Sequence, residues 1–113
     1  MSLDVYLDGN TCAHCGRSDE TFWQNYTHNA GKMATEAGIY DCLWEPDLHS
    51  MWFAEDLIQP LRAGIAAMKD DPMRFMRLQP GTDWGSYDTF LPWCEKYLAA
   101  CIANPTAKVR VSR

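Results

Sequence analysis

The segment FLPWCEKYLAACIANPTAKVRVSR, residues 90–113, predicts a helix followed by a strand. Apolar side chains recur at helical spacing through its first half, at Phe90, Cys94, Tyr97, Leu98, Cys101 and Ile102. Pro105 ends this pattern, because proline cannot continue a helix. Residues 108–112 then alternate polar and apolar side chains, so this strand should turn Val109 and Val111 toward the helices.

Two further strands are predicted near the N-terminus. Residues 3–7 alternate apolar and polar side chains, and residues 21–27 are rich in β-branched and aromatic side chains. Gly9 and Asn10 favour a turn after the first strand. The second strand should therefore return antiparallel to the first, in a hairpin with a long tip.

Helical spacing also predicts helices between the hairpin and the last helix. A short helix should cover residues 30–38, capped by Thr27 or Asn29 and ended by Gly38, with a further turn or two before Pro46.

A longer helix follows, and its apolar stripe consists of Leu57, Ile58, Leu61, Ile65 and Met68. Asp56 is its expected cap, with Pro60 in or just after the first turn, and Pro72 opens one more short helix.

Together these patterns predict one α+β domain over residues 1–113, in the order β-β-α-α-α-β. We expect a three-stranded antiparallel sheet with the helices packed on one face. A chain of 113 residues has the usual length of a single domain.

Composition argues against several classes of function. The net charge of −5 and the scattered basic residues argue against nucleic-acid binding, which needs clustered Lys and Arg. The sequence contains no run of about 18 apolar residues, so it predicts no membrane-spanning helix. Residues 1–10 lack the features of a signal peptide. Five cysteines without an export signal are typical of a reducing compartment, so we expect a cytoplasmic protein.

Five short segments carry a family resemblance: residues 1–7 (MSLDVYL), 27–29 (THN), 36–40 (EAGIY), 84–87 (WGSY) and 109–113 (VRVSR). With these segments, the chain resembles a group of small proteins predicted in phage and bacterial genomes and without an assigned function. The resemblance covers almost the whole chain. It implies a complete intracellular protein encoded by a phage or prophage, and it implies no catalytic residue.

Two cysteines provide the most specific chemical motif. Cys12 and Cys15 have the spacing at which two thiolates bind one Zn²⁺, and His28 follows at the interval of a two-Cys, two-His finger. No second histidine follows His28 closely, so another ligand would come from His14, Cys42 or His49. A reduced hairpin tip without metal is the alternative. Many proteins of the resembling group lack this loop, which argues against a central metal.

Residues 27–29 form the first candidate binding segment. Thr27, His28 and Asn29 lie where a strand should end and a helix begin, and unpaired backbone N–H groups at such ends bind anions. His28 is also a candidate general base, with an orienting acid from Glu36, Asp41 or Asp88. A plain helix cap is the third interpretation.

Residues 84–87 form the second candidate segment. Trp84, Ser86 and Tyr87 would place aromatic rings beside the start of the last helix, which suits stacking of a base and contact with a phosphate. Alternatively, Trp84 folds over the core as a lid. We expect both segments to meet at one cleft for a nucleotide or another anionic metabolite, with His28 and Trp84 on the order of 10 Å apart.

The sequence contains no complete catalytic set and is rich in tryptophan. We therefore expect a non-enzymatic intracellular protein that inhibits or sequesters a host protein or a small anionic ligand. The alternatives are a small hydrolase with His28 as general base and a zinc-stabilised interaction module. No cofactor besides zinc is expected.

Overall fold

The computed structural model describes residues 2–9, 19–81 and 84–113. The strands are β1 (Ser2–Gly9), β2 (Asp19–Thr27) and β3 (Lys108–Ser112). The helices are α1 (Gly31–Glu36), α2 (Tyr40–Trp44), α3 (Ala54–Asp70), α4 (Pro72–Met76) and α5 (Tyr87–Ala103). Short 3₁₀ turns cover His28–Ala30 and Pro46–His49. The three strands and the last helix confirm the sequence prediction.

β1 is the central strand of an antiparallel sheet with the order β2-β1-β3. Its inward side chains, Leu3, Val5 and Leu7, are completely buried. Val111 lies opposite Val5, and Val109 lies opposite Leu7. Both valines therefore pack against the same core as β1, as predicted. The α+β class with a single antiparallel sheet is confirmed.

Gly38 separates α1 from α2. Its φ of 76° is the left-handed conformation that glycine adopts without steric cost. The N–H groups of Gly38 and Ile39 donate to the carbonyl oxygens of Thr35 and Ala34, at 3.1 and 2.9 Å. This is a Schellman motif, so the predicted helix end at Gly38 is confirmed.

α3 begins earlier than the sequence predicts, at Ala54. Asp56 lies within the first turn, where its Oδ2 accepts hydrogen bonds from the backbone N–H groups of Trp52 and Phe53, at 3.1 and 3.0 Å. The expected position of Asp56 before the helix is therefore wrong, because its carboxylate caps the helix by reaching backward. Pro60 consequently lies inside the helix rather than near its first turn.

The middle of β2 is joined to α5 by two hydrogen bonds and a ring stack. Nε2 of Gln24 donates to the carbonyl oxygen of Trp93 at 3.1 Å, and Nε1 of Trp93 donates to the carbonyl oxygen of Asn25 at 3.0 Å. Phe22 stacks on Tyr97 with ring centroids 5.9 Å apart. Gln24 is buried, and leaving its amide unpaired would cost about 1–3 kcal/mol. These contacts fix the position of α5 on the sheet.

Three cysteine thiols lie in the core. Cys42 of α2 and Cys94 and Cys101 of α5 are buried. Burial raises the pKa of Cys42 and of Cys101 to about 12, and it raises the pKa of Cys94 well above its ordinary value. The Cys42 thiol donates to the carbonyl oxygen of Ile39 at 3.2 Å. These thiols are protonated packing groups at neutral pH.

We expect the free energy of unfolding to fall as the pH rises above 9.0. The thiols of Cys42 and Cys101 ionise near pH 9.0 in the unfolded chain, whereas they stay protonated in the folded chain up to about 12. Their stabilisation is therefore complete below pH 9.0 and is lost as the pH rises toward the folded pKa. Each thiol should lower the unfolding free energy by about 1.4 kcal/mol per pH unit in that interval.

Urea unfolding at about pH 8 and about pH 10 measures this fall. In the Cys42→Ala variant the fall should be smaller, because one of the contributing thiols is gone. An equal fall in the variant and in the parent protein would contradict the assignment.

Candidate functional site

The end of β2 meets the loop that precedes α5. The Tyr26 hydroxyl lies 2.7 Å from Oγ1 of Thr89 and 3.4 Å from the carbonyl oxygen of Ser86. Its ring packs against Phe90 with centroids 5.3 Å apart. Tyr26 therefore holds the start of α5 against the turn that follows β2.

Gly85 lets the two candidate segments approach each other closely. It has a φ of 91°. A Cβ atom at this position would lie 3.1 Å from Cβ of Asn29 and 3.2 Å from Cγ2 of Thr27. Nδ2 of Asn29 lies 3.5 Å from the carbonyl oxygen of Trp84, a long hydrogen bond. Residues 27–29 and the loop around Gly85 are thus in direct contact.

A hollow of about 660 Å³ lies beside the turn at His28–Ala30. We call it the His28 hollow. Its polar lining consists of His28, Asn29, Lys32, Thr35, Glu36 and Gln79, and its apolar lining includes Tyr40, Leu78 and Pro80. This volume lies within the range of about 300–1,000 Å³ that small-molecule sites occupy.

The His28 imidazole contributes an unsatisfied nitrogen to this region. Its Nε2 is enclosed and has no hydrogen-bond partner among the described residues. The ring meets the edge of Trp44 with centroids 6.1 Å apart, and Trp44 in turn stacks on Tyr40 at 5.1 Å. Buried polar atoms are almost always paired in native proteins, so an unpaired one calls for a specific explanation such as a water or an ion.

The charges around the His28 hollow leave one cation without a partner. Nε of Arg74 donates to Oε1 of Glu36 at 2.7 Å, so this guanidinium neutralises the Glu36 carboxylate. Lys32 is exposed and forms no ion pair within the described part of the chain. The hollow therefore carries a local positive charge in a protein of net charge −5.

A second, smaller hollow of about 280 Å³ lies on the other side of the contact and is called the Trp84 hollow. It is lined by Asn25, Tyr26, Thr27, Trp84, Gly85 and Thr89. Trp84 is 74% exposed, so the interpretation of Trp84 as a lid folded over the core is wrong. The ring is free to meet solvent or a bound molecule.

The structure divides the predicted single cleft into these two hollows. His28 and Asn29 line the larger one, whereas Thr27 and Trp84 line the smaller one. The close approach of the two segments across Gly85 places backbone where the sequence predicted open space.

Ser86 and Tyr87 line neither of these two hollows. Oγ of Ser86 lies 3.2 Å from Oγ1 of Thr89 at the start of α5. Tyr87 is 7% exposed, and its hydroxyl donates to the carbonyl oxygen of Met68 at 2.8 Å. Tyr87 is therefore a core residue here, because the first turn of α5 points it toward α3.

The sequence analysis did not identify most of the lining of the His28 hollow, including Lys32, Tyr40 and Gln79. Lys32 follows His28 by four residues, a helical spacing that could have linked the two. Gln79 is far away in sequence and arrives through tertiary packing, where its Oε1 accepts a hydrogen bond from the Tyr87 N–H at 3.0 Å.

The acids considered as partners for His28 have other neighbours. Glu36 binds Arg74, and Oδ1 of Asp41 lies 3.4 Å from Nε2 of His49. Asp88 lies in the first turn of α5. None of these carboxylates hydrogen-bonds to His28 in the described part of the chain.

The predicted zinc ligands Cys12 and Cys15 lie outside the described residues. Of the additional ligands considered with them, Cys42 is buried and protonated in the core. His49 is exposed, so it is more accessible to a metal ion than Cys42.

No family model, curated protein or solved structure matches this chain. Among the described residues, no helix is long and apolar enough to cross a membrane.

We expect Gly85→Ala to lower the free energy of unfolding by about 1–3 kcal/mol, because alanine is strained at positive φ and its methyl group crowds residues 27–29. Urea unfolding measures the change. Gly81→Ala is the matched control, since no atom lies within 4 Å of a Cβ there. Equal stability of the two variants would show that the contact at Gly85 is not tight.

Proposed function

We propose that this protein is a non-enzymatic binding protein that sequesters a small anionic ligand in the His28 hollow. The observation that carries the proposal is the exposed Lys32 ammonium at the edge of this hollow, beside a Glu36 carboxylate that Arg74 neutralises. A bound anion would meet a net positive charge there.

The contrast with the rest of the chain strengthens this argument. A protein of net charge −5 repels anions at long range, so an anion binds only where local charge and donors outweigh that field. Lys32 supplies the charge, and the side chains of Asn29 and Gln79 supply amide donors in the same lining. A charge-assisted hydrogen bond of this kind contributes about 1.5–3 kcal/mol.

The apolar part of the lining indicates the rest of the ligand. Tyr40 is held by stacking on Trp44, and Leu78 and Pro80 lie in the same wall. A flat ring can lie against such a wall while an attached anionic group reaches Lys32. A nucleoside monophosphate combines both parts and suits the volume of about 660 Å³.

The contacts of the nearby carboxylates favour binding over hydrolysis. Of the three acids considered for orienting His28, Glu36 is engaged by Arg74 and Asp41 by His49, and Asp88 forms no hydrogen bond to His28 among the described residues. A general base needs such a partner and a positioned nucleophile. His28 is better explained as part of the wall of the hollow.

Isothermal titration with adenosine monophosphate, adenosine and inorganic phosphate tests the proposal. The monophosphate should bind one to one and more tightly than adenosine, because adenosine has no anionic group to reach Lys32. Lys32→Ala should weaken the monophosphate about tenfold, equivalent to about 1.4 kcal/mol, and should leave adenosine almost unchanged.

Lys96→Ala is the matched control, since Lys96 is an exposed lysine of α5 that lines neither hollow. It should bind the monophosphate as the parent protein does. Equal losses in the Lys32 and Lys96 variants would attribute the effect to overall charge and would contradict the site. Failure of all three probes to bind would reject the proposed ligand class.

A further inference from the structure

Three metal-ligating side chains lie together on α2 and the turn that follows it. Asp41, Glu45 and His49 each offer a ligand atom, and all these atoms lie within 4.8 Å of one another. α2 ends at Trp44, so the 3₁₀ turn Pro46–His49 folds His49 back toward Asp41 and Glu45. We propose that these three side chains bind one divalent transition-metal ion, with Zn²⁺ as the best fit.

The backbone that carries these side chains is well fixed. The N–H of Glu45 donates to the carbonyl oxygen of Asp41 at 3.0 Å, and the N–H of Leu48 donates to that of Glu45 at 3.1 Å. The intervening Trp44 and the following Pro46 are buried. The segment therefore presents its three ligands to solvent from a rigid support, which lowers the cost of forming a metal site.

The distance between His49 and Asp41 fits zinc coordination. Nε2 of His49 and Oδ1 of Asp41 are 3.4 Å apart. Two ligand atoms about 2.0–2.1 Å from a tetrahedral Zn²⁺ lie about 3.3 Å from each other. A carboxylate oxygen of Glu45 lies within 4.8 Å of both of these atoms, and rotation of its flexible side chain can complete the set. The fourth position is left to water.

The local charge also favours a cation. A simple ion pair between His49 and Asp41 does not use Glu45, whose carboxylate adds a second negative charge. Arg113, the basic side chain from β3's end, instead binds Asp47 at 2.9 Å and the Trp44 carbonyl oxygen at 2.6 Å. Within the described part of the chain, no lysine or arginine forms an ion pair with Asp41 or Glu45.

The donor types select the metal. One imidazole nitrogen with two carboxylate oxygens suits Zn²⁺, whereas Mg²⁺ and Ca²⁺ prefer oxygen ligands alone. The proposal is independent of the anion site, because Asp41, Glu45 and His49 line neither the His28 hollow nor the Trp84 hollow.

Titration calorimetry with zinc chloride tests the site in a Cys12→Ser, Cys15→Ser protein, which lacks the two thiolates predicted to bind zinc. We expect binding of one ion per chain and no comparable binding of Mg²⁺. Adding His49→Ala should weaken zinc binding by at least about tenfold, and Glu45→Gln should also weaken it.

Asp47→Asn is the matched control, since it removes a neighbouring carboxylate that binds Arg113 and not the proposed ion. It should keep the affinity of the parent. Circular dichroism of each variant should match that of the parent, which checks that the substitutions leave the fold intact. Absence of zinc binding in the Cys12→Ser, Cys15→Ser parent, or binding that survives both His49→Ala and Glu45→Gln, would overturn the proposal.

Discussion

The hydrogen bonds between Gln24 and Trp93, and between Trp93 and Asn25, determine how α5 lies on the sheet. Each bond joins a side chain of one element to the backbone of the other, so a shift of α5 by one turn would break both. The cost is high because Gln24 is buried, where an unpaired amide cannot turn to water. The stack of Phe22 on Tyr97 forms at this same position of α5.

The surface that contains the two hollows depends on this position of α5. With α5 fixed, the Tyr26 hydroxyl reaches Thr89 and Ser86, and the loop at Gly85 is drawn onto Thr27. The backbone contact then divides the surface into two hollows of different character. The larger one carries a lysine in its lining, whereas the smaller one presents an exposed tryptophan.

The charged residues follow a simple pattern in the described part of the chain. Most ion pairs join an arginine or lysine to an acid that is distant in sequence: Arg110 with Asp8, Arg113 with Asp47, Arg74 with Glu36 and Lys69 with Glu95. Exposed pairs of this kind contribute little stability each, about 0–1 kcal/mol. Their arrangement matters more for function, because it leaves Lys32 without an acidic partner beside one hollow and leaves Asp41 and Glu45 without a lysine or arginine partner in the described part of the chain.

The sequence by itself determined the elements that depend on periodicity and local capping. The alternation in β1 and β3, the apolar face of α5 and the glycine at the end of α1 are local signals, so the α+β class was predictable from them. The sequence also identified residues 27–29 and 84–87 as neighbours of helix ends. Only the tertiary structure decided what site these segments form. In the fold Tyr87 is buried, and the contact at Gly85 divides the predicted cleft in two. The tertiary structure also brought Gln79 to His28, because such contacts depend on how helices pack in three dimensions, and no local spacing encodes that packing.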